Sequence, residues 1–234
     1  MPVTEFAYFA VKPGKRVLDD STPEGVIMTK EWETACLQPG AHRAYWCMQI
    51  EDPTKLVGFL DWDKVEDHHD WLKTDWNAEV VKDMPTMLEF DGTQFVKHLA
   101  LEPWPPTAIL DAQNNGPLAT EVLMLWFPTD VTAEMKAAVE VQAQKFRATA
   151  LDVCPGIKGI SSGWSVEHDI PIIDGKGKLG TVFVVLVGWP SMETSQEVRQ
   201  MKAFIDCIGS LRGIQGLVSL NNMHVSCRSF EAPT

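Results

Sequence analysis

The sequence predicts an α+β protein made of two β-α-β-β-α-β units in one chain. Three observations carry this reading. Hydrophobic period switches between two and 3.6 residues in the same order twice, a breaker-rich stretch separates the two series, and conspicuous residues recur at a nearly constant interval.

In the first series, Thr4 to Val11 is aromatic and apolar enough for a strand and stops at Pro13-Gly14. A helix follows from about Pro23 to Leu37, with Ser21-Thr22 as capping hydroxyls, Pro23 in the first turn and Pro39-Gly40 ending it. His42 to Ile50 and Lys55 to Trp62 form two strands around the turn Asp52-Pro53-Thr54. Lys64 to Met84 has a helical period, and Thr93 to Leu101 closes the set as a strand after Asp91-Gly92. The stretch from Glu102-Pro103-Trp104-Pro105-Pro106 through Asn114-Asn115-Gly116-Pro117 sustains neither period and reads as a linker. The order then begins again. Glu121 to Phe127 is a strand, Thr132 to Leu151 a helix capped by Thr129-Asp130 and followed by Cys154-Pro155-Gly156, and Lys158 to Glu167 and Lys178 to Trp189 are paired strands. Ser191 to Leu211 is a helix and Leu217 to Phe230 the last strand.

Residue spacing supports the repeat. Pro13 and Pro128, Trp46 and Trp164, Trp62 and Trp189, and His98 and His224 are separated by 128 − 13 = 115, 164 − 46 = 118, 189 − 62 = 127 and 224 − 98 = 126 residues. The step between the second and third intervals falls in the hairpin, where Ile170 to Gly177 is a longer loop than its counterpart. The expected organisation is a first unit at residues 1–101, a Pro-rich linker at 102–117 and a second unit at 118–234. Such a unit folds as a four-stranded antiparallel sheet with both helices on one face. Its other face needs a cover, which two units in one chain supply internally.

Composition bounds the function. Twenty Lys+Arg against 32 Asp+Glu give a net charge of −12 and a pI near 4.9, which argues against nucleic acid and against an anionic membrane surface. The start lacks a basic stretch followed by an apolar one, and the longest apolar run, Thr181 to Trp189, is too short to span a bilayer. Five cysteines without C-x-x-C spacing read as reduced thiols, so the expected location is the cytoplasm. Nine Trp beside two Tyr provide flat walls for a planar ligand.

The strand Leu56 to Trp62, followed by Asp63-Lys64-Val65-Glu66-Asp67-His68-His69-Asp70-Trp71-Leu72-Lys73-Thr74-Asp75, resembles the strand, Trp and short acidic linker into a His-bearing helix of the dimeric α/β-barrel superfamily, antibiotic-biosynthesis-monooxygenase-like group. Members are usually near 100 residues and pair two ferredoxin-like sheets into a barrel. The resemblance covers both halves here and so implies a fused pseudo-dimer. It further implies a ligand pocket between sheet and helices, and cofactor-independent oxygenation, isomerisation or cyclisation of small aromatic or polyketide-like substrates in secondary metabolism. Related fused barrels bind haem, and some members have no known chemistry.

Within Lys64 to Met84, the residues Val65, His69, Leu72, Trp76 and Val80 fall on one helical stripe, which turns His69 inward. An inward imidazole is a candidate general base; the alternative is a core histidine bonded to a backbone carbonyl. His68 is placed about 100° round the helix, at the rim or in solvent. The second series has Gln196 or Glu197 where the first has His69, so chemistry is expected in the first half. His98 shares a strand face with Val96 and Ala100 and is expected to orient the substrate, whereas His224 shares one with Asn222, Ser226 and Arg228, a set that water could equally cover. Trp46, Trp62 and Trp76 are candidate pocket walls, with Leu72, His68 and His224 as further candidate contacts. Asp61, Asp63, Glu66, Asp67 and Asp70 form an acidic cluster in the sequence around the two histidines, and an acidic first helical turn also complements the helix dipole.

No nucleotide-binding or hydrolase motif occurs, and Asp67-His68-His69-Asp70 cannot converge on one ion because adjacent helical positions point apart. No metal is therefore expected, and the resemblance implies chemistry without a cofactor. The leading expectation is a cofactor-free enzyme for a small planar substrate, with a homodimer compatible. The alternatives are a non-catalytic ligand-binding or stress-response barrel and a haem-binding barrel. Against haem stand Leu72, where haem-degrading relatives carry the helix His, and the lack of Asn in the first strand.

Overall fold

A computed structural model describes residues 1–113, 116, 118–154 and 156–233. The linker residues Asn114, Asn115 and Pro117, and Pro155 after the long helix, lie outside the described residues.

The elements begin with β1 (Val3–Ala10), α1 (Pro23–Cys36), β2 (Ala41–Met48), β3 (Lys55–Trp62), α2 (Val65–Trp71), α3 (Asp75–Val81) and β4 (Phe95–Glu102). They continue with α4 (Thr107–Leu110), β5 (Ala119–Phe127), α5 (Ala133–Val153), β6 (Gly159–Ser165), β7 (Ile170–Pro171), β8 (Leu179–Trp189), α6 (Met192–Val198), α7 (Lys202–Arg212), β9 (Ser219–Val225) and β10 (Arg228–Glu231). Local sequence sets several boundaries. Thr22 Oγ1 accepts from Gly25 N at the start of α1, where Pro23 occupies the first turn and has no N–H to waste.

The strands form one sheet in the order β10-β2-β3-β1-β4-β6-β8-β5-β9, with β7 beside β8, and every pairing is antiparallel. The first and last strands of that order are separated in the chain only by Ser226-Cys227, so the sheet curls back on itself. The bridge Gln49–Val225 and the bond from Ile50 N to His224 O close the seam. Closure removes the free edges that an open sheet exposes.

Alternation along each strand divides the residues between two layers. Phe6, Tyr8, Tyr45, Val57, Phe59, Val122, Met124 and Trp126 fill the barrel interior. Val3, Ala7, Trp46, Leu56, Leu60 and Trp62 face outward against α1 and α2, and Leu123, Leu125, Phe127 and Trp189 face α5 and α7.

Four expectations are corrected. The single helix expected over Lys64 to Met84 is two helices and a 3₁₀ turn at Met84–Thr86, because Thr74 Oγ1 accepts from Asn77 N and caps a new start. Ser191 to Leu211 likewise divides into α6 and α7. The last strand is interrupted at Ser226-Cys227, which lets β9 pair with β5 while β10 crosses to β2. The linker is not wholly irregular: α4 lies within it, and its Ile109 and Leu110 enter the barrel interior.

Candidate active site

A cavity of about 640 Å³ lies between helices α1 to α3 and the outer face of β1, β3 and β4. Its walls are mainly apolar, with Trp32, Trp62, Trp71, Met28, Leu60 and Phe90 among the lining side chains. A buried polar cluster of Glu5, His68 and His98 forms part of its lining.

The strand register builds this cluster. Glu5 lies opposite His98 across β1 and β4, and α2 follows β3 closely enough to set His68 over both. His68 Nδ1 is 2.8 Å from His98 Nε2 and 3.4 Å from Glu5 Oε2. The His68 ring stacks on Trp62 at 5.2 Å between centroids, and Trp62 Nε1 donates to Glu5 Oε2 at 2.9 Å. On its other nitrogen, His98 Nδ1 lies 2.7 Å from Glu167 Oε1, and the His98 backbone N–H donates to Glu167 Oε2. An ionised carboxylate only accepts, so a neutral His98 carries its hydrogen on Nδ1 and presents the Nε2 lone pair to the cluster.

Electrostatics sharpen the picture. Burial works upward on Glu167, but the hydrogen bonds from His98 outweigh it and hold the carboxyl below its usual range. Burial lowers the pKa of His68, against the pull of Glu5 and with the push of His98. Glu31 keeps some contact with the cavity, yet the packing around it and the Glu5 carboxylate push it up to about 8.

The candidate residues are thus distributed differently from the sequence reading. His68, expected at the rim, is buried in the cluster, and His69, expected inward, is an exposed residue whose ring reaches the cavity 5.9 Å from that of His98. The stripe fails because α2 ends at Trp71: His68 and Trp71, three residues apart, form its buried face. Trp62, Leu72 and His98 line the cavity as expected. Trp76 does not; beyond the break it is 52% exposed and only its edge meets Trp71. Trp46 lies one layer behind, stacked on Trp32 at 6.2 Å with the Arg228 guanidinium over it. His224 is far from solvent rather than covered by it: buried on the other side of the barrel, it bonds Ser195 and Glu51. Asp61 leaves the acidic cluster altogether, because its strand parity turns it into the barrel interior, where Thr4 and Tyr45 donate to it.

The sequence reading missed Glu5, Glu31, Glu167 and Trp32. A signal existed for Glu5: the polar pair Thr4-Glu5 interrupts an apolar strand, and Thr120-Glu121 does the same in the other half.

Comparison with solved structures places this architecture. A provisionally designated monooxygenase from Fusobacterium nucleatum subsp. nucleatum superposes with a TM-score of 0.63 at 11% identity, covering 98% of this chain and 94% of that one. An anthrone oxidase-like protein gives 0.63 at 13% identity over 100% and 94%. This chain has the dimeric α/β-barrel fold. A second provisionally designated monooxygenase, from Lactobacillus acidophilus, shares the barrel at a TM-score of 0.56 and 9% identity over 99% of both chains. No family model matches the sequence. No curated protein matches it either. The barrel contains no helix, among the described residues, long and apolar enough to cross a membrane.

Proposed function

We propose that this chain is an oxygenase-type enzyme for a small, largely apolar, planar substrate held in the cavity of its first half. The observation that carries the proposal is the cavity itself, lined mainly by aromatic and aliphatic side chains and including the buried polar cluster Glu5, His68 and His98. The monooxygenase designations and the anthrone oxidase likeness of the structural neighbours agree with it.

In this reading the substrate ring lies along Trp62 and Trp71, and its oxygen-bearing end meets Glu5, His68 and His98. His69, in reach of both cavity and solvent, takes the substrate proton and passes it to water. The resulting electron-rich anion reacts with oxygen; rearrangement or cyclisation of the same anion is the outcome when oxygen does not add.

The reading includes a fused pseudo-dimer in which the second half replaces a partner subunit. Matched contacts support it: Trp62 to Glu5 and Trp189 to Glu121 are both 2.9 Å bonds, and His98–Glu167 is matched by His224–Glu51. Beside the first half's cavity of about 640 Å³, the second half has a smaller one of about 170 Å³ whose lining includes Arg199, the partner of Glu121.

Haem is the poorer occupant. Its propionates need cations, but among the described lining residues Glu5, Glu31 and Glu167 face a single lysine, Lys97, which is already paired with Asp169. A Soret band on haem addition would reverse that judgement.

The test is oxygen uptake and product analysis with hydroxyaromatic and anthrone-type compounds. Turnover by the wild type and its loss in His69→Ala are expected. No binding of any such compound by the wild type, or equal turnover by the variant, defeats the assignment.

A further inference from the structure

We propose that Glu5, His68 and His98 are the protein ligands of one divalent transition-metal ion whose open positions face the cavity. The ligand atoms lie within 4.8 Å of one another. Atoms bound about 2.0–2.1 Å from one ion stand about 2.8–3.4 Å apart for octahedral or tetrahedral angles. The observed 2.8 Å from His68 Nδ1 to His98 Nε2 and 3.4 Å from His68 Nδ1 to Glu5 Oε2 match those spacings closely.

The surroundings have the form of a metal site. Glu167 holds the far nitrogen of His98, which fixes the ring and leaves Nε2 as the donor, the arrangement that supports metal-bound histidines. Trp62 Nε1 donates to Glu5 Oε2, the oxygen nearest His68, and so fixes the orientation of the carboxylate. Two imidazoles and one carboxylate on a single side of an ion leave the other positions open, and this set suits iron(II), cobalt(II) or zinc(II).

Comparison across the barrel separates this role from a structural one. The second half keeps the Trp189–Glu121 bond and the His224–Glu51 pair, so those contacts belong to the architecture of both sides. It differs at two positions. Ser195 stands against His224 where His68 stands against His98, 195 − 68 = 127 residues apart. Arg199 neutralises the fully buried Glu121, whereas the residue 127 earlier is Leu72, which gives Glu5 no cation. A buried carboxylate is costly without a counter-charge. Compared with the second half, the first thus lacks the fixed cation and has a third potential metal ligand beside a larger cavity, about 640 against 170 Å³. A bound divalent ion accounts for the missing cation and the added ligand.

The ion would also sharpen the substrate class to molecules that place a phenolate, enolate or catechol-like oxygen at the cavity's polar cluster; this consequence rests on the oxygenase reading, while the binding site does not. A bound ion of this kind would replace the expected chemistry without a cofactor.

The test uses tag-free, full-length protein stripped with a chelator and titrated anaerobically with Co(II) alone, read by visible d–d absorption and calorimetry. One Co(II) per chain is expected, with nitrogen and oxygen rather than thiolate bands. His68→Ser, which copies the second half, should weaken binding at least 100-fold. Leu72→Arg should do the same by offering Glu5 the cation that Glu121 has, and because Leu72 is half exposed this variant need not disturb the core. Circular dichroism and thermal melting establish that each variant is folded. No saturable Co(II) binding by the wild type, or binding unchanged in folded Leu72→Arg and His68→Ser, overturns the proposal. Cobalt binding without turnover of any hydroxyaromatic defeats the oxygenase reading alone, and turnover by metal-free protein defeats the metal's role in it.

Discussion

Glu167 gives both carboxylate oxygens to one residue, His98: Oε1 lies 2.7 Å from ring Nδ1 and Oε2 2.9 Å from the backbone nitrogen. The two belong to opposite sides of the β4–β6 seam, so the contact ties the halves together as it orients the ring. Across the other seam Glu51 holds His224 by the same two bonds. Glu167→Ala and Glu51→Ala should therefore each cost about 1–3 kcal/mol in urea unfolding, since each leaves a buried histidine without its partner. Only Glu167→Ala should also weaken Co(II) binding, by about 10–100-fold, as loss of an outer partner of a metal ligand does. Equal loss from the two variants would mean that the pairing does no more at the cavity than at the opposite seam.

Arg199 supplies a second prediction. Glu121 is fully buried, with Trp189 Nε1 as its other partner. Arg199→Leu copies Leu72 but creates no metal site, because Ser195 is not a ligand there. Breaking a buried pair costs about 3–5 kcal/mol; Arg199 is one-third exposed, so the lower end, about 3 kcal/mol, is expected. Adding Glu121→Gln removes the stranded charge and should recover part of that loss in the same unfolding assay.

Period and breakers disclose most of the strands, because one face of each packs in the barrel and the other under helices, and Trp62 and Trp189 each close a strand and donate to a buried glutamate. The helix break at Thr74 was not legible from stripe periodicity. A threonine caps a helix or lies inside one according to the surrounding packing, and the new start at Thr74 takes Trp76 out of the stripe expected to run through it. Glu167 was out of reach for a different reason. It comes from the opposite half, and its meeting with His98 depends on how the barrel closes, not on any local pattern.

Asp61 should leave a signature in the pH dependence of stability. Burial raises its pKa to about 7, against the hydrogen bonds from Thr4 and Tyr45. The unfolded chain releases this proton near its ordinary value of 3.8, so from about pH 4 to 7 the folded state holds a proton that the unfolded state lacks. Stability contributed by this group is full below that window, falls as pH rises through it, by up to about 1.4 kcal/mol per pH unit, and levels off above. Glu31 acts in the same direction toward higher pH, so the informative quantity is the difference between proteins. Asp61→Asn, measured by urea unfolding at pH 5 and pH 8, should lose stability relative to wild type less at pH 8 than at pH 5. A difference independent of pH would show that Asp61 is not protonated in the folded state.

Gly58 tests the cavity wall. It lies in β3 directly beneath the Trp32 ring, and a Cβ there would stand 2.2 Å from Trp32 Cη2 and 2.3 Å from Cζ2. The ring cannot simply retreat, because Trp46 is stacked on it, so Gly58→Ala must push Trp32 along the sheet or into the cavity. Overpacking of this kind costs about 1–3 kcal/mol, and the cavity should bind planar ligands more weakly. Gly209→Ala is the matching control. That glycine is inside α7 with open space around its Cβ position, so alanine should stabilise the protein by about 0.5–1 kcal/mol through the helix alone. Melting temperatures of the two variants should consequently move in opposite directions, and only Gly58→Ala should lose fluorescence quenching by a bound aromatic probe. Retention of that quenching in a destabilised Gly58→Ala protein would mean that Trp32 moved along the sheet and left the cavity open.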